Sequence, residues 1–251
     1  MCGIVGAVAE RNVTPILIEG LQRLEYRGYD SAGVALVQAD GEVQRRREVG
    51  KVVNLSNNLD AEPLTAGVGI AHTRWATHGS VQQTNTHPHM SGNDLALVHN
   101  GIIENYITLR EELQSQGYVF ASDTDSEVIV HLIHNCLGDG GLLHAVRRAV
   151  KRLDGAYAIA VCWADEPDRI VAARSGCPLV VGKGIGENFL ASDVLALKAV
   201  TDRFIFLEEG DLVDLRRDRI DIWSIDNEAV LRADVRIEMA KDDFDKGNFR
   251  H

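Results

Sequence analysis

The sequence predicts an α+β protein, two mostly antiparallel sheets covered by helices, and three observations carry that expectation. Short β-type runs dominate both ends of the 251 residues, amphipathic helical periodicity occupies the middle, and the strict strand-helix-strand alternation of a parallel sheet is missing. No solenoid-scale repeat or low-complexity linker interrupts the pattern.

Gly3 to Ala9 is nearly all small or β-branched, which suits a strand buried on both faces, so the chain begins inside the protein. Thr14 is expected to cap, and Pro15 to open, a helix whose Leu17, Leu21 and Leu24 repeat at four and three and which ends near Gly28. A hairpin follows: SAGVALVQ, the turn Asp40-Gly41, then EVQRRREV, with Arg45, Arg46 and Arg47 read as the solvated face of an edge strand. The strand GVGIAHT leads into Arg74 to Asn93, which has neither periodicity; loops of that length in compact domains are usually functional or disordered. The strand LALVH is expected to end at Asn100-Gly101.

Two amphipathic helices come next. One carries Leu109 and Leu113 and ends at Gly117; the other carries Val128, Ile129, Leu132, Ile133 and Cys136 behind the acidic cap Asp123 to Asp125. A third, with Leu143, Val146 and Val150, ends near Gly155. Beyond it lie the β runs AYAIAVCW, RIVAAR, PLVVG, NFLAS, FIFLEE, DLVDLRR and RIDIWSID. From Arg232 the chain is polar and shows no obvious final element, so it is expected to be cut from something longer.

Composition narrows the function classes. Lys plus Arg number 26 and Asp plus Glu 37, a net charge of −11 that repels phosphate backbones and anionic lipid, so neither nucleic acid nor membrane is an expected partner. Hydrophobic residues at 45% and charged residues at 25% argue for a globular core rather than disorder. The longest apolar run, Ala156 to Ala164, is far below the roughly 20 residues of a membrane span. MCGIVGAVAE has no basic leader and does not resemble a secretory signal, which makes the cytoplasm the expected compartment. Cys136, Cys162 and Cys177 sit among apolar neighbours without C-x-x-C spacing and read as core.

Cys2 is different because of its position. Removal of Met1 would leave a chain that begins with cysteine, supplying a thiol nucleophile together with an α-amine of pKa about 7.7 to 8.0, suited to proton transfer near neutral pH. In CGIVG the adjacent glycine leaves room for a substrate and the buried strand fixes the terminus; an ordinary N-terminal strand is the competing reading. Asn100-Gly101 is a common turn dipeptide, but IIENY follows instead of a partner strand, so the pair is read as an oxyanion hole made by the Asn100 amide and the Gly101 N–H. Arg74, beside Trp75 at the mouth of the long loop, suits bidentate contact with a carboxylate. Asp125 stands at a helix start, where it either caps or holds an ammonium group. Together Arg74 and Asp125 would grip both ends of an α-amino acid.

Nine histidines raise the question of a metal, with His72, His78, His87 and His89 in one stretch. Their spacings match no common zinc framework, and no metal or cofactor is expected. The segment GKGIGE lacks the phosphate-loop pattern and is read as a β-turn.

With these residues assembled, nearly the whole chain resembles the glutaminase domain of the isomerizing glutamine:fructose-6-phosphate aminotransferase family, a branch of the N-terminal-nucleophile glutamine amidotransferases. The resemblance is carried by MCGIVG, RLEYRGYDSAG, AHTRWATHG, the HPH after it, VHNGIIENY, SDTDSEV, ENFLASD and FLEEGD. It implies a four-layer αββα sandwich, with Cys2 as nucleophile, Asn100 and Gly101 as oxyanion hole, and Arg74 and Asp125 as clamps for the carboxylate and ammonium of L-glutamine. It further implies that Thr77 and His78 add carboxylate contacts, that Trp75 belongs to a lid, and that Arg27 and Gly28 lie beside the terminal amine and the substrate amide. Residues 2–235 would form the glutaminase domain and 236–251 the start of a linker to a C-terminal sugar-isomerase-like domain that binds fructose 6-phosphate in a homo-oligomeric parent. Two alternatives stay open: a sibling amidotransferase making phosphoribosylamine or asparagine, and a non-catalytic amino-acid-binding module. The R-W-A-T-H-G loop favours the hexosamine branch, and a pure binder has no need of an N-terminal thiol.

Overall fold

The computed structural model describes residues 2–75 and 80–237. In chain order the strands are β1 (Gly3–Val8), β2 (Ser31–Val37), β3 (Val43–Val49), β4 (Val68–Arg74), β5 (His89–Ser91), β6 (Leu95–Ile103), β7 (Gly155–Trp163), β8 (Arg169–Ser175), β9 (Val180–Lys183), β10 (Asn188–Ala191), β11 (Arg203–Phe206), β12 (Leu212–Arg216), β13 (Ile220–Trp223) and β14 (Asp234–Arg236). The helices are α1 (Thr14–Leu24), α2 (Val52–Ala61), α3 (Tyr106–Ser115), α4 (Asp125–Asn135) and α5 (Gly141–Val150). An eight-stranded sheet runs β14-β11-β9-β10-β1-β4-β2-β3 and a six-stranded sheet runs β13-β12-β8-β7-β6-β5. The strand pairs within both are antiparallel.

Three apolar layers hold four structural layers together. Ile4, Val8, Ala35 and Ile70 from the first sheet meet Val98, Ala160, Ala172 and Val213 from the second. The other face of the first sheet packs Val5, Val34 and Ala71 against Leu17, Leu21 and Leu24 of α1 and Leu55 of α2. The outer face of the second packs Leu97, Ile159 and Val171 against α3, α4 and α5. Helices thus flank a pair of face-to-face sheets, the αββα order that the resemblance implied. The helix faces follow from spacing: Leu142, Ala145, Val146, Ala149 and Val150 of α5 fall at i, i+3, i+4, i+7 and i+8 and are all buried.

β1 is buried along its whole length between β10 and β4, as its small and branched residues require. Several local expectations change. Thr14 is the first helical residue of α1 and its hydroxyl donates to Leu64 O at 2.8 Å; Asn12 Oδ1 accepts the Thr14 N–H. Within the stretch after Arg74, β5 pairs with β6. β6 continues through Asn100-Gly101 to Ile103, pairing with β7 as far as Gly155.

Arg45, Arg46 and Arg47 do lie on an edge strand, but only half-exposed. Arg45 donates to Pro88 O, Arg47 to Thr84 O and Thr86 O, and Arg46 to Glu62, so the run clasps the loop before β5 and the end of α2 instead of facing only solvent. β14 is the last element among the described residues, pairing with β11, and Ile237 N donates to Asp202 O. The sheet therefore runs through the expected boundary at 235, and 238–251 lie outside the described residues. No helix among the described residues is long and apolar enough to cross a membrane.

Candidate active site

Cys2 precedes the central strand β1, whose register with β4 sets Gly3 opposite Thr73 and so brings the thiol to the Arg74–Trp75 step. Trp75 N–H donates to Cys2 Sγ at 3.2 Å, and Sγ–H reaches Trp75 O at 3.6 Å. Burial pushes the Cys2 thiol up, against the opposing pull of the Trp75 N–H. A thiol in that state needs a base to become a nucleophile.

The second sheet closes the site. Asn100 on β6 donates from Nδ2 to Cys2 O at 3.2 Å, crossing from one sheet to the other. Gly101 has φ +134°, and a Cβ there would run into the Ala156 carbonyl, so only glycine fits while β6 stays paired with β7. A small cleft is lined by Cys2, Arg74, Trp75, His87, His99, Gly101, Thr124, Asp125 and Ser126.

Asp125 enters this cleft from the first turn of α4 and is 7% exposed. It does not cap the helix. Thr124 is the N-cap, its hydroxyl accepting from Glu127 N, while Asp125 Oδ2 accepts from Ile103 N at 2.9 Å and thereby ties α4 to the end of β6. Arg74, 4% exposed, donates to Ser80 O and faces Asp30 at 3.7 Å.

Arg27 and Gly28 border the Cys2 cleft without being among the residues that line it. Arg27 is ion-paired with Asp193 and borders a neighbouring cavity with Arg174, Pro178 and Phe206. Gly28, at φ +99°, lies against the Trp75 ring, which would collide with any Cβ there; Trp75 itself is 51% exposed. Thr77 and His78 lie outside the described residues.

At the wall of the cleft and behind it, His72, His87 and His89 form a buried group by ring contact, with His99 close by. His72 and His87 meet in a tilted contact with centroids 4.1 Å apart, and His89 meets His87 edge-on at 4.7 Å. His89 Nε2 bonds Thr124 Oγ1, and His99 Nδ1 bonds Ser126 Oγ. Burial pushes His72 and His89 down to about 3 and lowers His87 and His99 as well. In the unfolded chain His72 and His89 each take a proton near pH 6.5, whereas in the fold they stay neutral until about pH 3. Stability is therefore fully present above pH 6.5 and is lost as pH falls toward 3. His72 and His89 together should cost about 4 kcal/mol by pH 5, roughly 1.4 kcal/mol per histidine per pH unit. Urea unfolding at pH 7.5 and pH 5 measures this, and an unchanged midpoint would contradict it.

These features define a class: two face-to-face antiparallel sheets with a cysteine heading a central strand are the fold of N-terminal-nucleophile amidotransferases. The glutamine phosphoribosylpyrophosphate amidotransferase of Bacillus subtilis, solved with ADP and GMP, superposes with a TM-score of 0.77 at 25% identity, over 89% of this chain and 49% of that one. A glutamine aminotransferase class-II domain protein of Silicibacter pomeroyi shares the fold with a TM-score of 0.61 at 16% identity, over 89% of this chain and 99% of that one. Residues 72–199 match the glutamine amidotransferase domain model, and the chain belongs to that family. More particularly, the whole chain is 60% identical to the isomerizing glutamine–fructose-6-phosphate aminotransferase of Pseudomonas putida and 54% identical to that of Escherichia coli, spanning 41% of the length of each.

Sequence reasoning missed Asp30, Thr124 and the role of the histidines. T-D-S-E, a capping-box pattern at 124–127, was the available signal for Thr124; no local signal marked the others.

Proposed function

We propose that this chain hydrolyses L-glutamine to glutamate and ammonia through a thioester on Cys2, and that in the longer parent the ammonia aminates fructose 6-phosphate in a C-terminal domain to give glucosamine 6-phosphate. The observation that carries the reading is the Asn100 amide held against the backbone of Cys2, whose own cleft is lined by Gly101, Arg74 and Asp125.

Once Met1 is removed, the Cys2 α-amine takes the thiol proton and Sγ attacks the side-chain amide carbon. Asn100 Nδ2–H and Gly101 N–H stabilise the oxyanion. Its collapse breaks the C–N bond, and the protonated amine gives its proton to the leaving nitrogen, which departs as ammonia. Water, deprotonated by the same amine, then cleaves the thioester and restores the thiol. Arg74, with Thr77 and His78, would hold the substrate carboxylate; Asp125 would hold its ammonium group; Trp75, packed on Gly28, would cover the site. Arg27, turned to Asp193, receives no step. No cofactor enters this chemistry, the cytoplasm is the compartment that fits it, and the parent would be a homo-oligomer.

Intact mass spectrometry before and after a diazoketone analogue of glutamine tests the proposal. One adduct on Cys2 of a chain lacking Met1, blocked by excess glutamine, is expected. Glutamate release from a sample whose Cys2 stays unlabelled would overturn it.

A further inference from the structure

A side-chain amide can sit in two orientations of nearly equal shape, differing by exchange of its oxygen and nitrogen. Only one serves an oxyanion hole, because the other turns a carbonyl oxygen toward developing negative charge. The Asn100 amide must therefore be held by whatever bonds its Oδ1.

That partner is His72, fully buried on β4 and facing β6 from the other sheet. His72 Nε2 lies 3.0 Å from Asn100 Oδ1 and 3.1 Å from His99 O. Both are acceptors, so Nε2 carries the proton and donates to both. Nδ1 is buried and has no hydrogen-bond partner, so a second proton there would be unsatisfied and the ring stays neutral. One N–H thus fixes the side chain of Asn100 through Oδ1 and its backbone through the preceding carbonyl. His87, tilted against the ring with centroids 4.1 Å apart, limits its rotation.

We propose that His72 is a positioning residue for glutamine hydrolysis, locking the Asn100 amide with Nδ2 toward Cys2 so that the oxyanion donor is in place before substrate arrives. This rests on the proposed glutaminase reading, and the experiment separates the two.

Glutamate release by the wild-type chain, and its fall in Asn100→Ala by about 100- to 1,000-fold in kcat, test the underlying reading. Against that baseline, His72→Leu keeps side-chain bulk but removes the donor. It is expected to lower kcat by tenfold or more, up to the Asn100→Ala loss, with KM changed less than threefold. His72→Gln, whose Nε2 lies near the position of the imidazole Nε2, should recover most of the loss. In an Asn100→Ala background, His72→Leu should add almost nothing, because the amide it positions is gone. If His72→Leu does not fold, His72→Asn, whose amide is too short to reach Asn100, takes its place in the cycle. Wild-type kcat in the donor-less variant, no recovery with Gln, or an equally large further loss in the Asn100→Ala background would each overturn the proposal and assign His72 to packing alone.

Discussion

Cys2→Ala is expected to fold like the parent chain and to release no glutamate above background, a loss on the order of 10⁴-fold or more in kcat. Removing a covalent nucleophile eliminates the route itself, and losses of about 10⁶-fold are known where the nucleophile of a hydrolase is deleted. The side chain contributes little to the fold: among the described residues its hydrogen bonds are those with the Trp75 N–H at 3.2 Å and, longer, with Trp75 O. Folding and catalysis should therefore separate cleanly, with a melting temperature near that of the wild type. Cys2→Ser keeps a hydrogen-bonding atom but replaces a thiol with a far less acidic hydroxyl, and should be severely impaired. An ammonia-release assay on homogeneous protein, freed of Met1, checks both. Wild-type turnover in Cys2→Ala would remove the thioester from the mechanism.

The second large effect is expected at Asp125. Because Thr124 caps α4, Asp125→Asn leaves the helix start intact, and the amide oxygen can still accept the Ile103 N–H that ties α4 to β6. What disappears is the countercharge for a substrate ammonium group. Breaking one side of a desolvated charge pair costs about 2 to 5 kcal/mol, roughly a 30- to several-thousand-fold loss in kcat/KM. A glutamine analogue without its α-amine should suffer a smaller penalty from the substitution than glutamine does, since it brings no charge to lose. Equal penalties for both substrates, or normal hydrolysis by Asp125→Asn, would place the ammonium contact elsewhere. Arg74 gives a less clean test, because Arg74→Ala also releases Asp30 and Ser80 O.

Elements with a strong local period were legible in the sequence. β1 reads as buried on both faces from GIVGAV alone, and α5 reads as amphipathic from its apolar spacing. Elements without such a signal were not. VVNLSNNLDA of α2 mixes three asparagines and a serine with β-branched valines, a poor intrinsic helix, and it forms because Val52, Leu55 and Leu59 bury against the first sheet. β5 and β14, three residues each, exist through the neighbours they pair with. β6 continues past Asn100-Gly101 because β7, more than fifty positions away, offers it a partner as far as Gly155.

The sequence by itself determined the layered α+β class, the cysteine at position 2 and the residue types able to bind an amino acid, since composition, periodicity and motif order are properties of neighbours along the chain. Tertiary structure alone decided which of those residues meet. It ties Asn100 to Cys2 and His72 across two sheets, sends Asp125 to Ile103 rather than to its own helix start, turns Arg27 to Asp193, and sets the arginines of β3 to hold a loop. The physical reason is that such hydrogen bonds join positions tens to more than a hundred residues apart. Their existence depends on how the packed apolar layers bring the sheet edges together, and no local pattern records that.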